Sequence, residues 1–320
     1  MNQLIAIENS ISLSELKGKS IEIINGLDVS EGTRIDYVAR IGCFIDFIND
    51  NGFDRNSFLM YKRKLTSKND IAVSTKAKYL AVARVFLREL YRLGFTPVDI
   101  TQNVKGFNQS QKHKRFGLDD TEVQLLLKQL GKMEESREAY RLKAIVGLML
   151  FQGLRQIEIV RLNVKDIHFA SGTAAIWGKG QQGKEDIIDL HPEMVKILKT
   201  YMNNCKVKDG ALIASWGNRN QNGRMTTRSI RRIVKNYFAQ VGIENFCHGF
   251  RHYFVTKLLR EFSGDILKTR KFSRHRTTES ILAYADDVSR KDDLPAFFHA
   301  FNFSGNQAEC PINTITGHQN

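Results

Sequence analysis

The chain has 320 residues, and 42% of them are hydrophobic, enough to bury the cores of two domains. It carries 48 lysines and arginines against 34 aspartates and glutamates, a formal net charge of +14, which indicates a polyanionic partner. No stretch is apolar enough to cross a membrane, the N-terminus lacks a secretory signal pattern, and the widely spaced cysteines argue against a disulfide scaffold. We therefore expect a cytoplasmic protein.

Apolar residues recur at helical intervals through the first third of the chain. Residues 1–29 carry no strong motif, and the pattern then predicts helices over 30–51 and 57–65. A third helix is predicted to begin after a cap at Ser74 and to end at Gly94. One face of this third helix is basic. It is either an ordinary solvated surface or a phosphate-contacting one, and the net charge favours phosphate contact. Its basic residues, spaced four or eight apart, are Lys76, Arg84, Arg88 and Arg92.

A polar, basic segment without periodicity covers 107–116 and marks the best domain boundary. We therefore expect a helical domain over 30–106, a second domain over 117–301 and a polar tail over 302–320. A basic linker suits a chain that passes along DNA, so three residues of this segment are candidate DNA contacts. They are Lys112, Lys114 and Arg115.

The second block combines helices with a short run of strands. An acidic cap at 119–120 opens a helix to Gln129, and a long apolar helix follows over 137–151. The predicted fold class is mainly α, with a helical domain followed by an α-rich domain that contains a small antiparallel sheet. The predicted strands cover 166–169, 173–177 and 185–190, and the further helices cover 192–202, 227–241 and 250–262, with shorter pieces to about 301.

Two motifs suggest ligands that the rest of the sequence does not support. Residues 178–183 spell G-x-G-x-x-G, but a dinucleotide site needs a helix directly afterwards, and the alternating residues that follow predict a strand. The glycines favour a tight hairpin with Lys179 at its tip. Cys247, His248 and His252 include two histidines four apart, yet no third ligand follows at a metal-site spacing. We therefore predict neither a metal nor a cofactor.

The remaining distinctive residues form a series that runs from the middle of the chain to near its end. They are Arg155, Lys179, His248, Arg251, His275 and Tyr284. The segments around them are GLRQIEIVRL, WGKGQQGKE, HGFRHYFVTKLL and HRTTESILAY. In that order they resemble the boxes of the tyrosine recombinases of the phage-integrase and Xer type. Each box is weak alone, but four in order are specific, and the resemblance covers roughly residues 30–300.

The resemblance implies a site-specific recombinase that cuts and rejoins DNA strands through a 3′-phosphotyrosyl intermediate. In that chemistry Tyr284 attacks phosphorus as the nucleophile. Arg155 and Arg251 hold the non-bridging oxygens, because a guanidinium is a forked and permanently charged donor. The tyrosyl ester conserves the energy of the broken bond, so rejoining needs neither ATP nor a metal.

Proton transfer and support fall to further residues of the same boxes. His248 is expected to act as an acid–base or hydrogen-bonding partner, and His275 to donate a hydrogen bond to the phosphate. Lys179 is expected to protonate the departing 5′ oxygen. Lys184 is a rival for Lys179 on the same hairpin. Supporting roles are expected for Glu158 and His252.

The sequence departs from the family's pattern before the closing histidine. The family often has Leu-Gly there, whereas this chain has Ser273 and Arg274. Arg274 and Arg276 add charge beside His275 and are candidate DNA contacts. Phe250 stands where leucine is usual, a change that a core can accept.

The resemblance also implies a core-binding domain over 30–106, a catalytic domain over 117–301 and a homotetramer on two double-stranded DNA sites, associated with the nucleoid. The apolar segment 292–301 either docks onto a neighbouring subunit or is a core helix. The short N-terminal segment favours a simple-site recombinase, with integration, excision and resolution left open. The alternatives are a type IB topoisomerase and a basic DNA-binding protein without chemistry.

Overall fold

The computed structural model describes residues 13–108, 117–178, 186–216 and 223–300. The chain divides into two compact units, Met1–Gln111 and Lys112–Asn320. Helices dominate both units, and the second also contains an antiparallel sheet of three strands, which confirms the predicted mainly α fold class. Among the described helices, none is both long and apolar enough to cross a bilayer.

Helices α1 to α4 build the described part of the first unit. Their bounds are Leu13–Asn25, Glu31–Asn51, Ser57–Ser67 and Val73–Arg92. Ser30 caps α2, because its side chain accepts a hydrogen bond from the backbone N–H of Thr33 at 3.3 Å. The predicted cap at Ser74 is wrong: Ala72 has the extended backbone of an N-cap, and Ser74 already lies inside the first turn of α4.

The core of the first unit is aromatic at its centre. Phe44 of α2 meets Tyr61 of α3 edge to face, with ring centroids 5.0 Å apart, and meets Phe86 of α4 at 6.5 Å. All three side chains are at most 2% exposed. The cluster therefore joins three helices of this unit. Burying each side chain of this size contributes roughly 1.5–3 kcal/mol to stability.

The second unit places its sheet between helices in chain order. Its helices are α5 (Asp120–Lys132), α6 (Arg137–Leu150), α7 (Gln156–Arg161), α8 (Pro192–Cys205), α9 (Thr227–Val241), α10 (Cys247–Glu261), α11 (Ile266–Ser273) and α12 (Glu279–Ala300). Its strands are β1 (Ile167–His168), β2 (Thr173–Ile176) and β3 (Asp186–Asp189). The central strand β2 pairs Ala174 with Ile167 of β1 and with Ile188 of β3. The strand predicted over 185–190, after the glycine motif, is confirmed as β3.

Close packing fixes the helix that carries the His-x-x-Arg motif. Phe250 of α10 is fully buried and stacks on Phe238 of α9, with ring centroids 5.3 Å apart. The core therefore accommodates phenylalanine at this position, as expected. On the same helix, His248 and Arg251 are three residues apart and lie on one side of it.

The final helix combines a buried start with an exposed end. Ile281 in its first turn is fully buried against α10. Phe297 and Phe298 are 56% and 54% exposed. The interpretation of 292–301 as a core helix is therefore wrong for these two residues. The tail predicted over 302–320 lies outside the described residues.

Candidate active site

Arg155 is held at the start of α7 by the carboxylate of Glu158. Its backbone N–H donates to one carboxylate oxygen at 2.8 Å, and its Nη1 donates to the other at 2.8 Å. Glu158 is 1% exposed, whereas the Arg155 side chain is 34% exposed. The buried carboxylate therefore orients the arginine and leaves part of its guanidinium open to an anion.

Arg251 of α10 is the most enclosed cation of the site, with 2% of its surface exposed. Its Nη1 donates to the carbonyl of Gly153 at 2.6 Å, and its Nη2 donates to the carbonyl of Ser273 at 2.6 Å. Burial, followed by the charge of nearby Arg155, lowers the pKa of Arg251 to about 9. Two arginines this close, with one of them buried, create a strong preference for a bound anion.

His275 follows α11 and lies beside Arg251. Its Nε2 is 3.3 Å from Nη2 of Arg251, and its Nδ1 is 2.9 Å from Oγ of Ser273. Burial and then the charge of Arg251 lower the pKa of His275 to about 3. The ring is therefore neutral at pH 7. Because a guanidinium only donates, Nε2 accepts from Arg251 and Nδ1 carries the proton.

Tyr284 of α12 completes the cluster. It is 3% exposed, and its ring centroid lies 5.9 Å from that of His275 and 4.8 Å from that of His252. Burial raises the pKa of Tyr284, while the positive charges of Arg251 and Arg155 act in the opposite direction. The phenol is thus protonated at neutral pH and lies within the field of the two arginines that would stabilise its anion.

The two histidines of α10 differ in exposure. His248 is exposed, and its charge is close enough to contribute to the lowered pKa of His275. His252 is 9% exposed and packs between the Tyr284 ring and Gly117, where an added Cβ would lie 2.2 Å from its Nδ1. The supporting role of His252 stays a prediction, and its ring is in contact with the Tyr284 ring.

The hairpin lysine lies outside the described residues, as does its rival Lys184. The base of that hairpin is nevertheless tied to the site. Arg161, at the end of α7, donates from Nη1 to the carbonyl of Gly178 at 2.7 Å. Gly178 directly precedes Lys179 in the chain, so the helix that begins after Arg155 contacts the last described residue before the lysine. The sequence analysis missed this role of Arg161.

Arg274, a candidate DNA contact from the sequence, has internal partners, and its DNA contact stays a prediction. Its side chain is 10% exposed, and its Nη2 lies 3.3 Å from Oε2 of Glu158. The same guanidinium donates from Nη1 to the carbonyl of Gln152 at 3.2 Å. Glu158 thus lies between two arginines. Arg276 is exposed, and its DNA contact stays a prediction.

The basic face of α4 in the first unit is used largely for internal contacts. Lys76 is 8% exposed, and its Nζ donates to the carbonyl of Thr66 at 2.9 Å. Arg84 donates from Nη2 to the carbonyl of Val104 at 2.5 Å. The prediction of an exposed basic stripe is therefore wrong for Lys76, whose ammonium group holds α4 to the end of α3.

The remaining cations of α4 also have partners. Arg88 donates from Nε to Oγ1 of Thr101 at 3.2 Å, and Arg92 forms an ion pair with Glu89 at 2.5 Å. Both side chains stay more than 60% exposed, so a role in binding DNA remains a prediction for them. The three linker candidates lie outside the described residues: Lys112, Lys114 and Arg115.

A second basic face, on α9, was missed by the sequence analysis. Its apolar side is buried through Ile230, Val234 and Phe238. The opposite side carries exposed cations that have no hydrogen bond or ion pair within the described part of the chain. These cations are Arg228, Arg231, Arg232 and Lys235. Their spacing of three, four and seven residues is the signal that could have revealed them.

Comparisons with known proteins identify the family of the chain. The model of the phage integrase family matches residues 117–290. The tyrosine recombinase XerD of Lacticaseibacillus casei is 26% identical over 282 residues, which cover 84% of this chain and 94% of that protein. The chain belongs to the phage integrase family and is a site-specific tyrosine recombinase.

Two solved structures share the fold. One is XerH site-specific recombinase bound to palindromic difH substrate, a post-cleavage complex; its TM-score is 0.72 at 18% identity, over 92% of this chain and 86% of that one. The other is a lambda integrase tetramer bound to a Holliday junction, with a TM-score of 0.63 at 15% identity over 88% and 80%. At these identities the likeness concerns the fold.

Proposed function

We propose that this recombinase cuts DNA with the phenolic oxygen of Tyr284 while Arg155 and Arg251 hold the scissile phosphate. The observation that carries the proposal is that the ring of Tyr284 lies 5.9 Å from that of His275, whose Nε2 is 3.3 Å from Nη2 of Arg251. The charges of Arg251 and Arg155 act on the pKa of Tyr284. Arg251 is enclosed by carbonyl oxygens at 2.6 Å and has its planar fork fixed before any substrate binds. Such preorganised donors stabilise a transition state that gains negative charge.

The chemistry is an in-line exchange of one phosphate ester for another. The phenol gives its proton to His248, the acid–base candidate of α10, as its oxygen bonds to phosphorus. The bond to the 5′ oxygen breaks, and the departing oxygen takes a proton from Lys179. The neutral ring of His275, oriented by Ser273, orients Arg251 through Nε2. Rejoining reverses the exchange, when a 5′ hydroxyl attacks phosphorus and releases Tyr284.

The exposed cations of α9 are proposed to hold the DNA backbone near this site. Each lysine or arginine that neutralises a phosphate displaces counterions, which makes binding strongly dependent on salt. Exposed His248 and Arg276 extend the same basic character around the catalytic residues. The first unit is proposed to bind the adjoining stretch of the recombination site.

The active assembly is proposed to be a homotetramer on two DNA sites in the cytoplasm, at the nucleoid. Support comes from the fold shared with the lambda integrase tetramer on a Holliday junction. The exposed pair Phe297 and Phe298 near the end of α12 provides apolar surface suited to contact with a second subunit.

A covalent trapping experiment tests the nucleophile. DNA fragments that carry the gene and its flanking sequence would be nicked and incubated with the protein. Covalent protein–DNA adducts would then be isolated, and the DNA ends joined to the protein would identify the recombination site. The wild type and the control Tyr91→Phe, altered at an exposed tyrosine of α4, should form adducts, and Tyr284→Phe should form none while still binding DNA. An adduct on another tyrosine would overturn the assignment. Relaxation of plasmids lacking the site, without exchange between paired sites, would indicate a topoisomerase.

A further inference from the structure

The backbone of Arg274 has a conformation that favours glycine. Arg274 ends α11 with φ 55° and ψ 39°, in the left-handed region. For a residue with a side chain this conformation costs about 1 kcal/mol or more. The turn itself is closed by the backbone, because the N–H of Arg274 donates to the carbonyl of Arg270 at 2.9 Å. Glycine would make the same turn with less strain, so the arginine side chain has a separate role.

That side chain reaches inward and joins two parts of the site. Its Nη1 donates to the carbonyls of Gln152 at 3.2 Å and Phe272 at 3.1 Å, and its Nη2 lies 3.3 Å from Oε2 of Glu158. Gln152 belongs to the turn that precedes Arg155. One guanidinium therefore ties the end of α11 to the start of α7.

Glu158 needs this second arginine because it is a buried carboxylate. Its Oε1 accepts from Nη1 of Arg155, and its Oε2 accepts from the Arg155 backbone at 2.8 Å and faces Arg274. Burial acts to raise the pKa of Glu158. The charge of Arg274, together with the hydrogen bonds and charge of Arg155, holds it below its ordinary value. An ionised Glu158 is the form that orients Arg155.

Ser273, the residue before Arg274, contacts two other catalytic candidates. The carbonyl of Ser273 accepts from Nη2 of Arg251 at 2.6 Å. The hydroxyl of Ser273 lies 2.9 Å from Nδ1 of His275. A shift of the turn at Arg274 would therefore move the partners of Arg251 and His275 together.

We propose that Arg274 is a positioning residue whose bridge to Glu158 holds Arg155, and through the turn at Ser273 also Arg251, in the geometry that binds the scissile phosphate. The proposal rests on the proposed function of those two arginines. It requires no contact between Arg274 and DNA. It also gives a chemical reason for a strained arginine where glycine would suffice.

The bridge has a consequence for the dependence on pH. Three charged groups face Glu158: Arg155, the N-cap residue of α7, Arg251 of α10 and Arg274. Asp186 of β3 in turn faces Arg274. Without Arg274 the pKa of Glu158 rises, so the carboxylate takes up a proton at a higher pH. The acidic limb of the pH–rate profile, where cleavage slows as the pH falls, should then move to higher pH.

The test compares Arg274→Gly and Arg274→Lys in single-turnover cleavage of a nicked substrate between about pH 5 and 8. A matched control is Lys206→Gly, since Lys206 ends α8 with the same φ of 55° and ψ of 39° and is exposed. Arg274→Gly should bind DNA normally but cleave about ten- to a hundredfold more slowly, with its acidic limb shifted upward. Arg274→Lys should keep the limb in place, and Lys206→Gly should behave as the wild type.

A double variant separates action through Glu158 from other effects. In the background of Glu158→Gln, adding Arg274→Gly should cost clearly less than it does in the wild type, because the bridge is already lost and only the contacts of Arg274 to Gln152 and Phe272 remain to be removed. Additive losses, or unchanged cleavage by Arg274→Gly, would overturn the proposal. Weaker DNA binding with a normal cleavage rate would also overturn it, because it would make Arg274 a DNA contact.

A measurement that needs no activity keeps the two proposals apart. The Glu158 carboxyl group can be titrated by carbon-13 NMR in the wild type and in Arg274→Gly. Its pKa should rise in the variant, and an unchanged pKa would contradict the bridge. If the wild type forms no adduct with DNA, the proposed function fails, and this titration still decides whether Arg274 controls Glu158.

Discussion

Helices α4 and α9 carry similar numbers of cations on one face but use them differently. On α4, Lys76 and Arg84 donate to backbone carbonyls of their own unit. On α9, the cations at 228, 231, 232 and 235 are exposed and have no ion pair within the described residues. The difference teaches that spacing along a helix predicts which charges share a face, whereas neighbouring elements decide whether that face is available to a ligand.

The catalytic cluster extends this comparison to buried cations. Arg251 and Arg274 donate to backbone carbonyls of their own unit, as Lys76 does, yet Arg251 also contacts His275 and Arg274 also contacts Glu158. Internal partners can therefore serve stability alone or the orientation of a reacting group. The following predictions separate these uses, from the largest expected effect to the smallest.

Replacement of Arg251 should have the largest effect. Arg251→Gln removes a preorganised phosphate donor and should lower single-turnover cleavage at least a hundredfold, about 3 kcal/mol in the transition state. Affinity for DNA should change much less, because it depends on many phosphate contacts, of which Arg251 supplies one. Circular dichroism and thermal unfolding would verify that the variant is folded. Near-normal cleavage by a folded variant would show that Arg251 serves stability only.

Neutralisation of the α9 face should act on binding. Glutamine at the four cations should weaken DNA affinity and reduce the slope of log affinity against log salt by up to about 3.6, near 0.9 for each phosphate contact. The cleavage rate at saturating protein should change little. As a control for charge alone, Lys196→Gln, at an exposed lysine of α8, should leave the slope unchanged. An unchanged slope in the α9 variant would remove that helix from the DNA interface.

His275 should make the protein less stable in acid. Its pKa of about 3 lies below the ordinary value of 6.5, so the folded state disfavours the charged ring. This contribution is present above about pH 6.5 and is lost as the pH falls toward 3. Between pH 7 and 5 the wild type should lose about 1 kcal/mol more of its free energy of unfolding than His275→Asn. Denaturant titrations at both values measure the difference, and equal losses would contradict the buried neutral ring.

Lys76→Met should have the smallest effect, and only on stability. The variant keeps the apolar stem but loses the hydrogen bond to Thr66, which should cost about 1 kcal/mol in the free energy of unfolding. DNA affinity and its salt dependence should not change. In contrast, Arg92→Gln removes a largely exposed ion pair and should leave stability nearly unchanged. A weaker DNA affinity for Lys76→Met would restore the predicted role in phosphate contact.

Local patterns allowed much of the secondary structure to be predicted. The helix at Thr227–Val241 was predicted with the bounds that it has, and α2 begins after the expected serine at position 30. The cap at Ser74 was predicted wrongly because Ala72, which has no capping side chain, already has the backbone geometry that starts α4. Capping residues predict helix starts well only where a side-chain hydrogen bond is formed.

The amino-acid sequence by itself determined the helical pattern, the small sheet and the identity of the boxes that contain Arg155, Arg251 and Tyr284. The helices and strands depend on spacings within one or two turns, whereas the boxes were recognised by their resemblance to a known family. Only the tertiary structure decided which cations are available to a ligand, because their partners are distant in the chain: Arg84 meets a carbonyl 20 residues away, and Arg274 meets Glu158 across 116 residues. Hydrogen bonds and burial between such remote segments exist only after the chain has folded.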